Sequence, residues 1–252
     1  MGKTYKAPVV RKAFAVLDRL ARRRRSLSVT DLAHDLKIGK STVLGILAAL
    51  EEAGAVVRDP ATKRYGLGLT LFELGRAVDA GLDLKDIARP HLGQLMARSR
   101  QSVFLGVRSG DHVTVLDIVE SSEDLKITSP VGTRLPLLAG ATGKAFLSSL
   151  PEEQARELVR KKGLRRYTPN TITEPERYLQ ALAAVRRDGY ALDDEEYIPG
   201  VRAVASLIPD GGRLSAAIWV VGFTPSMDAD RLVSIARETR LAAEAVGRRL
   251  GH

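Results

Sequence analysis

The most informative polar cluster lies at the start of a predicted helix near Lys40. Lys40, Ser41 and Thr42 offer an ammonium group and two hydroxyls, which can bind phosphate at a helix N-terminus. Leu44 and Gly45 follow on the same outward face of that helix. A recognition helix in the DNA major groove presents the side chains near its N-terminus to base edges. These five residues therefore predict a DNA-reading helix.

Basic side chains flank this cluster along the chain. They are Arg22, Arg23 and Arg24 before the second predicted helix, and Arg58, Lys63 and Arg64 in a predicted hairpin. Residues 1–69 contain 14 Lys and Arg against six Asp and Glu, so they carry +8 of the chain's net charge of +9. Charge concentrated in one segment is typical of a module that meets a polyanion, although a solvated basic surface would also produce it.

Three helices and a hairpin are predicted to position these residues. A second helix starts at Ser28 or Thr30, and a third runs over about 40–53. Gly39 lies in the short turn between them, where it can adopt a positive φ. This order, with hairpin strands over 55–58 and 64–67, predicts a winged helix-turn-helix. The first helix is predicted from an apolar stripe with helical spacing, formed by Val10, Phe14, Leu17 and Leu20.

The rest of the chain alternates predicted helices and strands. Helices are expected over about 70–80, 84–99, 143–149, 152–161, 174–188 and 228–250, and strands over 103–108, 113–119, 125–129, 201–208 and 214–223. Short turns between consecutive strands favour antiparallel pairing, with the helices on one side. The expected fold class is α+β, with a DNA-binding domain over 1–69, a linker helix region over 70–84 and a second domain over 85–252.

Signatures of catalysis and of membrane insertion are missing from the sequence. The chain has no Cys and only four scattered His, which argues against a thiol nucleophile, an iron–sulfur cluster and the common zinc sites. The acidic run Asp193–Glu196 could hold a cation or supply an acid–base pair, but consecutive side chains point in different directions. We therefore expect no catalytic residue, metal or cofactor. No apolar run approaches the ~18 residues of a membrane span, so the expected location is the cytoplasm, without a membrane partner.

A run of small residues from Gly140 to Lys144 resembles a phosphate-binding loop but lacks the required glycine and hydroxyl positions. It could still offer free amides at a helix N-terminus to a carboxylate. A tight turn shaped by the two glycines is the alternative.

Several motifs together resemble the isocitrate lyase regulator (IclR) family of bacterial transcription factors. In the first module they are Leu32-Ala33, Lys40-Ser41-Thr42-Val43, Ile46-Leu47-Ala48-Ala49-Leu50, Gly54 and Arg64-Tyr65-Gly66-Leu67-Gly68. In the second they include Pro130-Val131-Gly132, Leu135-Pro136-Leu137, Ala141-Thr142-Gly143-Lys144-Ala145, Gly189-Tyr190, Asp194-Glu195-Glu196 and Gly200-Val201. The resemblance implies a GAF-like effector-binding domain, a homodimer or homotetramer, and a small-molecule ligand.

The resemblance also implies an effector pocket. It assigns the pocket to Leu135, Ala141, Thr142, Asp193, Val201, Ala203, Trp219 and Val221, to which the small-residue run adds Gly143. Family members with small polar ligands carry hydroxyls at the positions of Trp219 and Val221. We therefore expect a larger, partly apolar carboxylate that stacks on Trp219, with a plain core role for Trp219 as the alternative. The family's recognition helix usually has Arg at the position of Gly45 and a polar residue at that of Leu44, so we expect weaker base discrimination here.

These observations favour a ligand-responsive regulator, acting as a repressor, that binds a palindromic double-stranded DNA operator as a dimer and senses a small organic acid. The first alternative is an enzyme or sensor of small organic acids whose basic head localises it. The second alternative is a protein-interaction module.

Overall fold

The computed structural model describes residues 7–23, 25–80, 83–209 and 215–250, and it divides the chain into two units, residues 1–82 and 83–252. Each unit has its own hydrophobic core. Among the described residues, no helix combines the length and the apolar character that crossing a bilayer requires.

The first unit contains the three helices and the hairpin that the sequence predicts. Its elements are α1 (Pro8–Arg23), α2 (Val29–Leu36), α3 (Lys40–Glu52), β1 (Val56–Arg58), β2 (Tyr65–Leu67) and α4 (Leu69–Ala80). Strands β1 and β2 pair antiparallel, and the other edge of β2 forms a bridge between Tyr65 and Leu27. A hairpin attached in this way to a three-helix core is a winged helix-turn-helix.

The buried face of α1 differs from the predicted stripe. Val16 and Leu20 are buried, whereas Val10 is 51% and Phe14 is 68% exposed. Ala13, Val16 and Leu20 share a face that lies one residue, or about 100°, around the helix from Phe14. The prediction followed the largest apolar side chains, but the face that packs contains a small one.

The turn between α2 and α3 also differs in detail from the prediction. Lys37 is the residue in the left-handed conformation, with φ 54°, while Gly39 has φ −58° and precedes α3. The start of α2 is as predicted, because Ser28 is its N-cap. The Ser28 hydroxyl accepts the Asp31 N–H at 3.1 Å, and the Asp31 carboxylate accepts the Ser28 N–H at 3.0 Å.

The second unit is built on a six-stranded antiparallel sheet. Its helices are α5 (Asp83–Ser99), α6 (Gly140–Ser148), α7 (Glu152–Lys162), α8 (Pro175–Asp188) and α9 (Ala229–Leu250), with a short 3₁₀ turn at Thr224–Ser226. Its strands are β3 (Ser102–Ser109), β4 (His112–Val119), β5 (Arg134–Pro136), β6 (Ala191–Asp194), β7 (Val201–Ile208) and β8 (Ala216–Phe223), in the order β5-β4-β3-β8-β7-β6.

Helices cover both faces of this sheet, so the prediction of helices on one side is wrong. Phe104 on β3 packs on the face of α6, α7 and α8, while its neighbours Val103 and Leu105 pack on the face of α5 and α9. Strands buried on both faces read as continuous apolar runs, and β3 and β8 are of this kind.

Two edge elements also depart from the prediction. Residues 125–129 do not form a strand, and the edge is completed by β5, where Leu135 pairs with Val113. Strand β6 was not predicted because it has only four residues and ends in two carboxylates, which are poor strand formers. Helix α6 begins at Gly140, three residues before its predicted start, because residues 141–147 are buried in the core and packing outweighs the low helix propensity of glycine.

Candidate functional site

The outer face of α3 carries the predicted DNA-reading residues. Lys40, Ser41, Leu44 and Gly45 are exposed, and Thr42 is half-buried. Ala48, which the sequence did not single out, continues the same face one turn further. The N-cap is Gly39, without a side-chain hydrogen bond to the first turn. The first-turn amides of α3 therefore keep the geometry that binds a phosphate oxygen.

The hairpin places two further predicted cations at the surface. The Arg58 guanidinium lies 5.8 Å from the centre of the Tyr65 ring. Lys63 is exposed and has φ 57°. The turn before it is fixed by Asp59, which accepts the Thr62 N–H at 2.6 Å and thereby lowers the pKa of its own carboxyl. A cation on a rigid turn is suited to contact with a DNA backbone.

The other predicted cations are engaged within the first unit. Arg64 donates to the Ser26 carbonyl at 3.1 Å and to Asp31 at 3.2 Å. Arg22 pairs with Asp18 at 2.7 Å, and Arg23 pairs with Asp35 at 3.3 Å. Arg24 lies outside the described residues. Among the predicted basic residues that the structure describes, Lys40, Arg58 and Lys63 are therefore exposed cations for which no ion pair with an acidic side chain is seen.

A cavity of about 230 Å³ in the second unit brings together most of the predicted effector-binding residues. Eight of the nine line it, namely Leu135, Ala141, Thr142, Asp193, Val201, Ala203, Trp219 and Val221. Gly143 does not, because its α-carbon packs so closely on the main chain that an added Cβ would lie 2.4 Å from the Leu137 carbonyl oxygen. The lining also includes Gly140 from the small-residue run, together with residues that sequence reasoning missed: Phe104, Val115, Ile127, Thr128, Ser129, Ala139, Tyr197 and Ile198.

An aromatic pair forms one wall of the cavity. Phe104 and Trp219 are direct partners across β3 and β8, and their rings stack with centroids 5.5 Å apart and planes at 6°. Trp219 is 3% exposed and belongs to the core, so it is both a core residue and a wall of the cavity. Strand alternation from a predicted β3 could have identified Phe104, whereas the lining loop residues carried no comparable signal.

The polar end of the cavity is formed by Asp193 and the start of α6. Gly140 has φ 57°, and a Cβ on it would lie 2.3 Å from Asp193 Oδ2. Asp193 is 5% exposed, and its Oδ1 accepts the Glu196 N–H at 2.6 Å. Burial outweighs this hydrogen bond and raises the pKa of the Asp193 carboxyl to about 6.

Lys144 is a buried cation near this end, and it is already paired. Its ammonium group lies 2.5 Å from Glu196 Oε1. The loop that carries Glu196 is held by Thr171, whose hydroxyl donates to the Glu196 carbonyl at 2.6 Å, and by Thr168, whose hydroxyl donates to the Glu195 carbonyl at 2.6 Å. These hydrogen bonds hold the loop after β6 in place in the ligand-free protein.

The acidic run Asp193–Glu196 has separate partners for each carboxylate. Asp194 pairs with Arg202 at 2.6 Å, and Glu195 accepts the Gly200 N–H at 2.8 Å. No group of three or more His, Cys, Asp or Glu suited to a metal ion occurs within the described parts of the chain. The side chains diverge, as the sequence argument expected.

A larger cleft, of about 840 Å³, lies at the other end of β7 and β8. Its arginines are engaged: Arg186 donates to the Ser148 and Leu150 carbonyls, while Arg187 pairs with Asp188. The smaller cavity, with its aromatic wall and buried carboxyl, is the better candidate for a ligand.

Comparison with known proteins decides the family. Residues 77–248 match the model of the bacterial transcriptional regulator IclR C-terminal domain, and residues 9–60 match the IclR helix-turn-helix domain. The chain belongs to the IclR family. It is 32% identical over 246 residues to the HTH-type transcriptional repressor AllR of Salmonella typhimurium, covering 97% of this chain and 90% of that protein. With AllR of Escherichia coli K12 the identity is 31%, covering 97% and 91%.

Solved IclR structures share the fold. The IclR regulator of Alicyclobacillus acidocaldarius matches with a TM-score of 0.84 and 29% identity, covering 98% of this chain and 100% of that one. An IclR homologue of Microbacterium hydrocarbonoxydans, solved with 4-hydroxybenzoate, matches with a TM-score of 0.79 and 25% identity, covering 96% and 98%. These IclR matches confirm the predicted α+β class and a role in transcription regulation. The matched names are those of regulators, not of enzymes.

Proposed function

We propose that this IclR protein is a ligand-responsive repressor that acts in the cytoplasm on a palindromic operator and is regulated by a small organic acid. The main support for this proposal is that eight of the predicted effector-binding residues line one cavity. The AllR relatives are named repressors, which supports repression over activation.

DNA binding is assigned to the face of α3 and to the β1–β2 hairpin. Lys40, Ser41 and Thr42 would contact phosphates and base edges from the start of α3, with Leu44 and Gly45 against the bases. Arg58 and Lys63 would contact the backbone from the hairpin, while Arg22, Arg23, Arg24 and Arg64 add long-range positive potential. We retain residues 1–69 as the DNA reader, 70–84 as the linker region and 85–252 as the sensor.

A homodimer is supported by apolar side chains that the first unit leaves in water. Phe14 on α1 is 68% exposed, and Leu69, Phe72 and Leu74 on α4 are each 60% exposed or more. Apolar patches of this kind mark interaction surfaces. A second copy that covers them would give the two-fold symmetry that a palindrome requires, and two such dimers would form a homotetramer.

The effector class follows from two groups of residues that line the cavity. The stacked Phe104 and Trp219 suit a flat apolar body, and the start of α6 suits an acid group near Ala141 and Thr142. The volume of about 230 Å³ is below the roughly 300–1,000 Å³ of typical drug-sized sites, so the ligand is small. The Microbacterium homologue binds an aromatic acid of this size class, 4-hydroxybenzoate.

The test combines DNA binding with ligand titration. The full chain should retard DNA from upstream of its own gene, with an affinity that falls steeply as salt rises. Lys40→Ala should weaken this binding, whereas Lys161→Ala, which removes an exposed cation from α7 in the second unit, should not. No retardation at low salt would overturn DNA binding.

The ligand arm uses the fluorescence of Trp219, the only tryptophan of the chain. We expect 4-hydroxybenzoate or hexanoate to change the emission and to alter operator affinity. A clear preference for glyoxylate would contradict the expected apolar ligand, and Trp219→Phe provides the optical control.

A further inference from the structure

The polar end of the effector cavity holds a carboxylate of the chain itself. Asp193 lines the cavity and is only 5% exposed. Its Oδ2 lies against Gly140, where the amides of α6 begin, and this is also the place where a ligand acid would be expected. A ligand carboxylate that entered there would meet a like charge on a side chain that is almost fully buried.

The groups that face Asp193 do not offset a second negative charge. From α6, Lys144 is bound to Glu196 at 2.5 Å, so its charge is already matched. From the loop after β6 come the Glu196 carboxylate, which raises the pKa of Asp193, and the main-chain N–H of Tyr197, a neutral donor that lowers this pKa without adding a positive charge. The facing strands contribute Ala203 from β7 and the aromatic pair, none of which titrates.

We propose that the cavity takes up its effector as a carboxylate together with one proton, which the ligand carboxylate and Asp193 share. Solvent supplies the proton, one oxygen of Asp193 carries it, and the ligand carboxylate accepts the resulting O–H hydrogen bond. The Asp193 Oδ1 that accepts the Glu196 N–H keeps that bond. This inference rests on the proposed function and specifies how the same site recognises an acid.

The energetics near neutral pH support this arrangement. Two adjacent carboxylates cannot both stay ionised at low cost, and one of them holds a proton instead. Burial has already raised the pKa of Asp193 to about 6, so protonation near neutral pH requires little additional free energy. A monocarboxylate with an apolar body therefore fits, whereas a second acid group would meet the aromatic wall.

Proton counting tests the proposal on the unmodified protein. Calorimetric titration with 4-hydroxybenzoate, benzoate and hexanoate at pH 7.5, in two buffers of different ionisation enthalpy, should show close to one proton taken up per ligand bound. Affinity should fall by about 25-fold between pH 5.5 and 7.5, which is the loss of protonated Asp193 for a pKa of about 6. The neutral amide 4-hydroxybenzamide can donate its own N–H to ionised Asp193 and should bind without proton uptake.

Two variants complete the test. Asp193→Asn imitates the protonated side chain, so it should bind the acids with no proton uptake and with equal affinity at both pH values. Asp194→Asn, which alters the adjacent exposed carboxylate, should keep the wild-type pH dependence. Acid binding by the wild type with neither proton uptake nor pH dependence would overturn the proposal and leave the regulator function intact. If none of the acids binds at any pH, the carboxylate effector of the proposed function fails as well.

Discussion

The Arg64 guanidinium donates to the Asp31 carboxylate at 3.2 Å and joins the β1–β2 hairpin to the start of α2. The same carboxylate accepts the Ser28 N–H in the capping box of α2, and this hydrogen bond is the main reason why the pKa of Asp31 is lowered. Arg64 therefore links the two elements that flank the proposed DNA-binding face, which is a positioning role that its sequence pattern did not reveal.

Lys63 and Arg64 are adjacent cations with different expected effects on DNA binding. Lys63→Ala should reduce the slope of log affinity against log salt by about 0.9, the value for one phosphate that is no longer neutralised, with unchanged thermal stability. Arg64→Ala should lower the unfolding temperature and leave the slope nearly unchanged, because its charge is engaged. Fluorescence anisotropy over a salt series and calorimetric melting measure the two effects. An equal reduction of slope in both variants would show that Arg64 contacts DNA directly.

In the first unit, local sequence patterns predicted the ends of helices but not the long-range contacts between elements. The capping residue Ser28 and the stop after α3 were predictable because they depend on neighbours within a turn. The role of Arg64 was not, because Asp31 lies 33 residues away. The packed face of α1 was also missed, since only the tertiary contacts of Ala13 and Val16 distinguish it from the more apolar face that contains Phe14.

Gly45 weakens the recognition helix, and the structure leaves room to replace it. A Cβ added to Gly45 would have no heavy atom within 4 Å. Gly45→Ala should therefore raise the free energy of unfolding by up to ~1 kcal/mol without changing sequence preference. Gly45→Arg should add ~1–3 kcal/mol of discrimination between the operator and a scrambled duplex, because a guanidinium can bond a guanine edge in two places. Equal gains on both duplexes would indicate a phosphate contact instead.

Val221 sets the apolar character of the cavity beside Trp219. Val221→Thr introduces a hydroxyl without added length, and an unpartnered buried hydroxyl costs ~1–3 kcal/mol. We expect affinity for benzoate to fall at least about fivefold and affinity for glyoxylate, which can bond the hydroxyl, to rise. Competition titrations measure the ratio. The exposed Val233→Thr on α9 is the control, and an unchanged ratio in Val221→Thr would contradict the assignment of this wall.

The cavity-lining residues on strands were easier to predict than those on the loops that complete the cavity. Strand alternation and the family resemblance identified Trp219 and Val221, because a strand's facing is regular. Tyr197 and Ile127 line the same cavity from irregular segments, whose course depends on contacts such as those of Thr168 and Thr171 with the loop after β6. No local pattern encodes such contacts.

Asp193 should make the stability of the free protein depend on pH. Its folded pKa of about 6 exceeds the value of 3.8 that it has without burial, so the folded state binds the proton more tightly. Stability should therefore decrease as pH rises from about 4 to about 6, by ~3 kcal/mol in total. Asp193→Asn should lack this contribution. The difference between its free energy of unfolding and that of the wild type should therefore shift in favour of the variant as pH rises from about 4 to about 6. Denaturant unfolding at several pH values measures the difference, with Asp194→Asn expected to follow the wild type.

Gly140 should not tolerate a side chain for two reasons, its positive φ and its close approach to the buried carboxyl of Asp193. Alanine at φ 57° costs ~1–2 kcal/mol, and its Cβ would also lie 2.3 Å from Asp193 Oδ2. Gly110, in the turn between β3 and β4, separates the two effects, because it has φ 61° and open space around it. Gly110→Ala should therefore show the backbone cost alone, whereas Gly140→Ala should lose more stability and all acid binding. Trimming the carboxyl in the double variant Gly140→Ala/Asp193→Ala should recover part of the stability, and the absence of such coupling would show that the two residues do not press on each other.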